Sequence, residues 1–205
     1  MNAGLCRPCL WTLPSTLKTL YMKDLNHEDE AQRHTAFQLI TDAARRGDNI
    51  GVDEVTPGSL DLMLQCSDVA VVLYDPSHGE QAHLERLLGA VVVVESRFIR
   101  SAHPRACQLF VVGATELSGR QTWRDLAWLA VSLAAESRRL YVDCFVEVFV
   151  PCVQHVLAMR DEGFVITACI PTAGQLAGHP GYVDSYVMYK QLDTLHVHRV
   201  SKIHC

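Results

Sequence analysis

Two carboxylates stand inside apolar runs, where burial would suit them to moving protons. Glu147 interrupts CFVEVFV and Glu95 closes AVVVVE. Taking a carboxylate out of water disfavours its charged form and lifts its pKa toward the range of a general base. Asp143 shares the period-two alternation of Glu147, so both equally read as the wet or hydrogen-bonded face of a strand. A second chemical run, Ser118-Gly119-Arg120-Gln121-Thr122-Trp123-Arg124, opens an apolar helix. The first N–H groups of a helix attract anions, and guanidinium forks pair with phosphate. The plainer reading is a helix start whose arginines face water, with Trp123 in a packing contact.

Other residues offer less. His155 lies on a partly apolar helix, where histidines mostly pack. Cys152 follows Pro151, but nothing in the local sequence orients a histidine onto it. Cys6-x-x-Cys9 has zinc-type spacing, and its second ligand pair must come from His196, His198, His204 or Cys205 at the far end of the chain. Two thiols in a loose N-terminal arm is the simpler account, and no metal is expected. No G-x-S-x-G elbow, Walker A loop, strand-associated G-x-G-x-x-G or H-E-x-x-H is present.

The composition sets the class. With 205 residues, 49% hydrophobic and 20% charged, the chain is one globular domain with a sizeable core. A net charge of −5 argues against a nucleic-acid partner, since no basic cluster is there to neutralise phosphates. No 18-residue apolar stretch suggests a membrane span, and Pro8 and Pro14 break the N-terminal apolar patch, so the expected location is cytoplasmic. Most of the eight cysteines sit in apolar segments and read as small buried hydrophobes rather than disulfides.

The elements that must position these groups follow from periodicity. Residues 18–23 alternate as a first strand. A helix follows, capped by Asn26, striped by Ala36, Leu39, Ile40 and Ala43, and ended by Gly47. A short helix covers 59–65. Three Val-rich strands come next, at 68–76, 88–96 and 105–114. Then come a long helix at 122–137, a strand at 140–150, a helix from Pro151 to the left-handed cap at Gly163, and two last strands. Residues 1–16 read as an arm, 17–195 as the domain and 196–205 as a tail. Strands interrupted by helices in this order mean an α+β fold with a mixed, mostly antiparallel central sheet flanked by helices.

The C-terminal block EGFVITACIPTAGQLAGHPGYVDSYVMYK, residues 162–190, resembles the end of the Gcn5-related N-acetyltransferases, the GNAT superfamily. Some members carry a GF…IP.AG.L…YVD….YK pattern after the last helix. The element order from about residue 18 to 192 is similar to that fold as well. The resemblance implies an acetyl-CoA-dependent acyltransferase acting on a small amine or amino-acid-like substrate, by direct attack on the thioester. It implies that the strand before the long helix binds the pantetheine arm through its backbone at Val111, Val112 and Gly113. The pyrophosphate would then sit on Gly119, Arg120, Gln121, Thr122, Trp123 and Arg124. Glu147, or Glu95 after it, would take the amine proton, and Asp53, Glu54 and Asp184 would hold a cationic acceptor unless they only form turns. The family pattern R/Q-x-x-G-x-G/A falls on Ser118, Gln121 and Trp123, which depart from it. Met159 stands where many members have a tyrosine acid, with His155 one turn earlier as a stand-in acid unless it only packs, and Cys152 stands where many have Asn. An indole at Trp123 turned outward would still leave the phosphate site usable. The resemblance equally allows a degenerate member that binds an acyl-CoA or a protein without turnover, and homodimerisation is open.

Overall fold

The Val-rich segments form the middle of a nine-stranded sheet because each is apolar on both faces. The computed structural model describes residues 9–26, 28–47, 49–50, 56–75, 87–95, 105–137 and 141–192. In chain order these hold β1 (Cys9–Thr12), β2 (Thr19–Asp24), α1 (Glu30–Arg46), β3 (Asn49–Ile50), α2 (Pro57–Gln65), β4 (Ser67–Tyr74) and β5 (Leu87–Glu95). After these come β6 (Ala106–Gly113), α3 (Arg120–Glu136), β7 (Asp143–Phe149), α4 (Val153–Asp161), β8 (Val165–Gln175) and β9 (Tyr182–Gln191). The strands lie side by side as β1-β2-β4-β5-β6-β7-β9-β8, with β3 paired to β6 off that path. The β6–β7 pair is parallel and the others are antiparallel. The architecture is the expected α+β arrangement.

Alternation along the central strands sorts the core into two layers. Val91, Val93, Leu109, Val111, Val146, Val148 and Met188 pack with Leu126, Leu129 and Leu133 of α3 and Ala158 and Met159 of α4. Ala90, Val92 and Val112 point the other way, to Ala36, Ile40 and Ala43 of α1 and Leu60 and Leu64 of α2. A Leu or Val taken fully out of water contributes about 1.5–3 kcal/mol, so the double-sided strands are the main stabilising element.

Local chemistry fixes the helix ends. Thr56 and Ser59 cap α2 reciprocally, with Pro57 in the first turn. Gly163 takes φ 87° after α4, and its N–H bonds to Arg160 O while that of Phe164 bonds to Met159 O, the two-bond left-handed cap. The cap of α1 differs from expectation. It is Asp29, whose carboxylate accepts from Gln32 N at 3.1 Å, while Asn26 only turns the preceding residues by accepting from Glu28 N.

Three further differences have physical causes. Within the expected arm, Cys9–Thr12 pairs with Thr19–Met22, and Trp11 and Leu13 are buried. Pro14 does not disrupt this hairpin because it lies in its turn, closed by Leu13 N to Lys18 O. β8 runs past Pro171, the expected strand end, to Gln175. As the last strand of the path it can carry a proline, and its register breaks between Ile170 and Gly174. β3 was not expected at all, since two residues carry no period.

Candidate functional site

Parallel strands β6 and β7 pair only at their starts, Ala106–Gln108 against Asp143–Phe145. Beyond that they part. On its other edge β6 stays paired with β5 as far as Gly113. The edge of β6 facing β7 is taken instead by β3, Asn49 opposite Val112 and Ile50 opposite Val111. β3 also lies against β7, so it stands in the gap between the two strands. The backbone at Val111 and Val112 is therefore paired on both sides.

Glu147 lies on β7 beside that gap. Directly opposed residues on antiparallel strands share a face, so Asp143, Phe145, Glu147 and Phe149 lie with Tyr189, Val187 and Ser185 of β9. Their alternates, Cys144, Val146 and Val148, are in the core with α3 and α4. Glu147 therefore projects on the sheet face opposite those helices. It is half-buried and accepts a 2.5 Å hydrogen bond from the hydroxyl of fully buried Ser185. Asp143, two same-face positions back along β7, accepts from Tyr189 at 2.7 Å, and Phe145 between them packs on the same ring at 5.2 Å. The Asp143 carboxylate, together with burial, raises the Tyr189 hydroxyl to about 12. Both carboxylates thus have hydroxyl partners on a face they share with Phe145, Phe149 and Val187. Ser185 was missed in the sequence, although strand alternation opposite β7 was the available signal. Glu95 closes β5 opposite Cys107, and its side chain lies outside the described residues.

The start of α3 is set by Gly119, whose φ of 110° suits glycine and whose missing side chain leaves the helix without a side-chain cap. The first intrahelical bond is Trp123 N to Gly119 O, so the N–H groups of Arg120, Gln121 and Thr122 precede it at the positive end of a 17-residue helix. The arginines turn away from that end. Arg120 grips Asp161 in a bidentate pair at 2.7 and 2.8 Å, and Arg124 bonds Glu162 at 2.8 Å. These bonds hold the Asp161 carboxyl below the usual carboxylate range and both guanidinium groups above their usual value. Both arginines stay exposed, as a helix start facing water would have them, and in that position they pair with the two carboxylates at the end of α4.

Trp123 does not point outward. It is 2% exposed, because position 123 falls on the same inward stripe of α3 as Leu126, Ala127 and Ala130. Its ring meets His155 edge-on at 4.0 Å, and a Cβ placed on Gly113 would lie 3.6 Å from it. The indole thus fills the space between the end of β6 and α4. Met159 is buried in the same core, which agrees with a packing role.

At the far side of the gap, three elements meet around Gly47. Cys152 Sγ donates to Gly47 O at 3.3 Å, and a Cβ on Gly47 would strike the Leu176 side chain at 2.5 Å. Asp184 accepts from Thr172 N at 2.9 Å, holding a non-glycine residue at φ 51°. The bond joins β8 to β9 and leaves Asp184 exposed. Asp53 and Glu54 lie outside the described residues, as do Cys6 and the C-terminal His and Cys residues. Among the described residues, no group of three His, Cys, Asp or Glu could hold a metal ion. No described helix is long and apolar enough to cross a membrane.

No family model matches the chain, and no curated protein matches it in sequence. Solved structures do. A GCN5-related N-acetyltransferase from Kribbella flavida is 18% identical at TM-score 0.63, with 84% of this chain and 98% of that one covered. The chain has the GNAT fold. The yncA protein of Salmonella typhimurium, solved with its cofactor acetyl-CoA, is 14% identical at TM-score 0.63 over 85% of this chain and 94% of its own. Spermidine N-acetyltransferase from Vibrio cholerae, solved with CoA and spermine, is 16% identical at TM-score 0.59 over 84% and 95%.

Within this GNAT frame the residues can be tested against an acyl-CoA. The opening N–H groups of α3 suit a pyrophosphate. The rest does not fit as it stands. An arm laid along β6 meets β3 at Val111 and Val112, Trp123 fills the space beside Gly113, and Arg120 and Arg124 already have carboxylate partners.

Proposed function

We propose that the chain is an acetyl-CoA-dependent N-acetyltransferase acting on a small amine or amino-acid-like substrate. The observation that carries this is Glu147, half-buried beside the point where parallel β6 and β7 part in a GNAT fold. Acetyl-CoA supplies an activated thioester. Glu147 takes a proton from the acceptor amine on the sheet face opposite α3 and α4, and Ser185 fixes its carboxylate by donating to one oxygen. The α3 N-terminus favours a bound anion. With Met159 in place of a tyrosine acid, the thiolate must leave unassisted. A thiol of pKa ~8.5 permits that, at a cost of up to ~10²-fold in rate.

A second reading is favoured by Trp123, Arg120 and Arg124, whose side chains are all committed within the fold. In it the chain is a degenerate GNAT-fold module that binds an acyl-CoA or a protein without transferring acetyl.

The test is release of coenzyme A over a panel of polyamines, amino acids and aminated small molecules. It is run on the wild type and on a chain carrying Asn49→Pro and Ile50→Pro, which breaks the β3 pairing. Release with at least one amine is expected. A thermal shift with acetyl-CoA but no release in either chain selects the binding module; for a Kd near 10 µM, about 1 mM ligand adds ~2.7 kcal/mol.

A further inference from the structure

We propose that β3 is a built-in strap that occupies the acyl-CoA path and must leave β6 before the cofactor arm can bind. The inference rests on the acetyl-CoA reading above and adds a control step to it.

Once β6 and β7 part, the edge of β6 facing the gap would carry unpaired N–H and C=O groups, which are costly wherever water is excluded. Val111 is fully buried and Val112 nearly so. β3 satisfies that edge with two residues of the same chain. A ligand that takes its place must be extended and must offer its own amide donors and acceptors, as the pantetheine arm of coenzyme A does.

The geometry also makes the strap separable. The sheet path from β1 to β8 is complete without β3, so its release leaves every other strand pair intact. The preceding helix is anchored independently at Gly47, through Cys152 and the Leu176 contact. The following helix begins on its own capping box at Thr56 and Ser59. Asn49 and Ile50 can therefore leave Val111 and Val112 without unwinding either helix. Among the described residues this two-residue pairing is also the shortest in the sheet, so it is the cheapest one to exchange.

A competent state populated at ~1–10% weakens apparent affinity by the same factor. The Asn49→Pro/Ile50→Pro chain, which removes both amide donors, is therefore expected to bind acetyl-CoA ~10–100-fold more tightly than the wild type by titration calorimetry. Far-UV circular dichroism and urea unfolding verify that it folds. If it does not, Asn49→Gly/Ile50→Gly weakens the strap through chain entropy instead. Amide hydrogen exchange on the wild type gives a readout free of substitutions. The Asn49 and Ile50 region is expected to lose protection at saturating acetyl-CoA while β5 and the start of β6 keep theirs. Equal affinity in both chains, or unchanged protection at 49–50 with ligand bound, overturns the strap and leaves the transferase reading standing. No binding by either chain overturns both.

Discussion

Glu147 combines two properties that a proton acceptor needs, partial burial and a partner that fixes one carboxylate oxygen. Glu147→Gln keeps an oxygen for the Ser185 hydroxyl and removes only the charge. It is expected to lower kcat by ~10²-fold or more at constant melting temperature, measured in the coenzyme A release assay. An unchanged kcat would move the proton to water or to another group. Trp123 shows how one side chain can be read in two ways from sequence. The spacing of α3 allowed an outward indole, and the tertiary stripe of Leu126, Ala127 and Ala130 turns it inward. The ring packs edge-on against His155 and lies within van der Waals reach of position 113.

Helices α3 and α4 are tied at their exposed ends by the Arg120–Asp161 and Arg124–Glu162 pairs. Asp161 has a lowered folded-state pKa, so its contribution to stability is present above the ordinary carboxylate pKa and lost as pH falls through the lower folded value. The wild type should therefore show an extra loss of stability below about pH 4 that Asp161→Asn lacks, read from urea midpoints across pH. The effect is small because both side chains touch water and salt screens them. Elements with long, one-sided or fully buried patterns were legible in the sequence: the Val-rich strands, α3 with its wide apolar face, and Gly163 as a cap. What was not legible depends on tertiary pairing. β3 is too short for any period, Asp161 and Glu162 reveal their arginine partners only when α4 docks, and Ser185 meets Glu147 only through β9 register.

At the scale of the molecule, the N-terminal hairpin is part of the domain and not an arm. Leu13 is 1% exposed in the same core as α3. Leu13→Ala should cost about 2–5 kcal/mol in urea unfolding, where a side chain in a loose arm would cost almost nothing. The sheet thus runs from a sequence-early hairpin at one end to the C-terminal hairpin at the other, with the gap between β6 and β7 off its centre. The C-terminal pattern is a good indicator of that frame, since β9 supplies the register that holds β7 and its face. It says much less about the cofactor, whose contacts lie on β6 and α3.

The contact of Ser15 with Asp125 has a consequence for synthesis of the chain. Both the N–H and the hydroxyl of Ser15 donate to that carboxylate across a separation of 110 residues. At ribosomal speeds of about 5–20 residues per second, the hairpin turn waits roughly 5–20 s for its anchor to be made. Through that interval Trp11 and Leu13 have no α3 to cover them. Until α3 has emerged, those two apolar side chains stay uncovered, which leaves this stretch of the nascent chain open to off-pathway association.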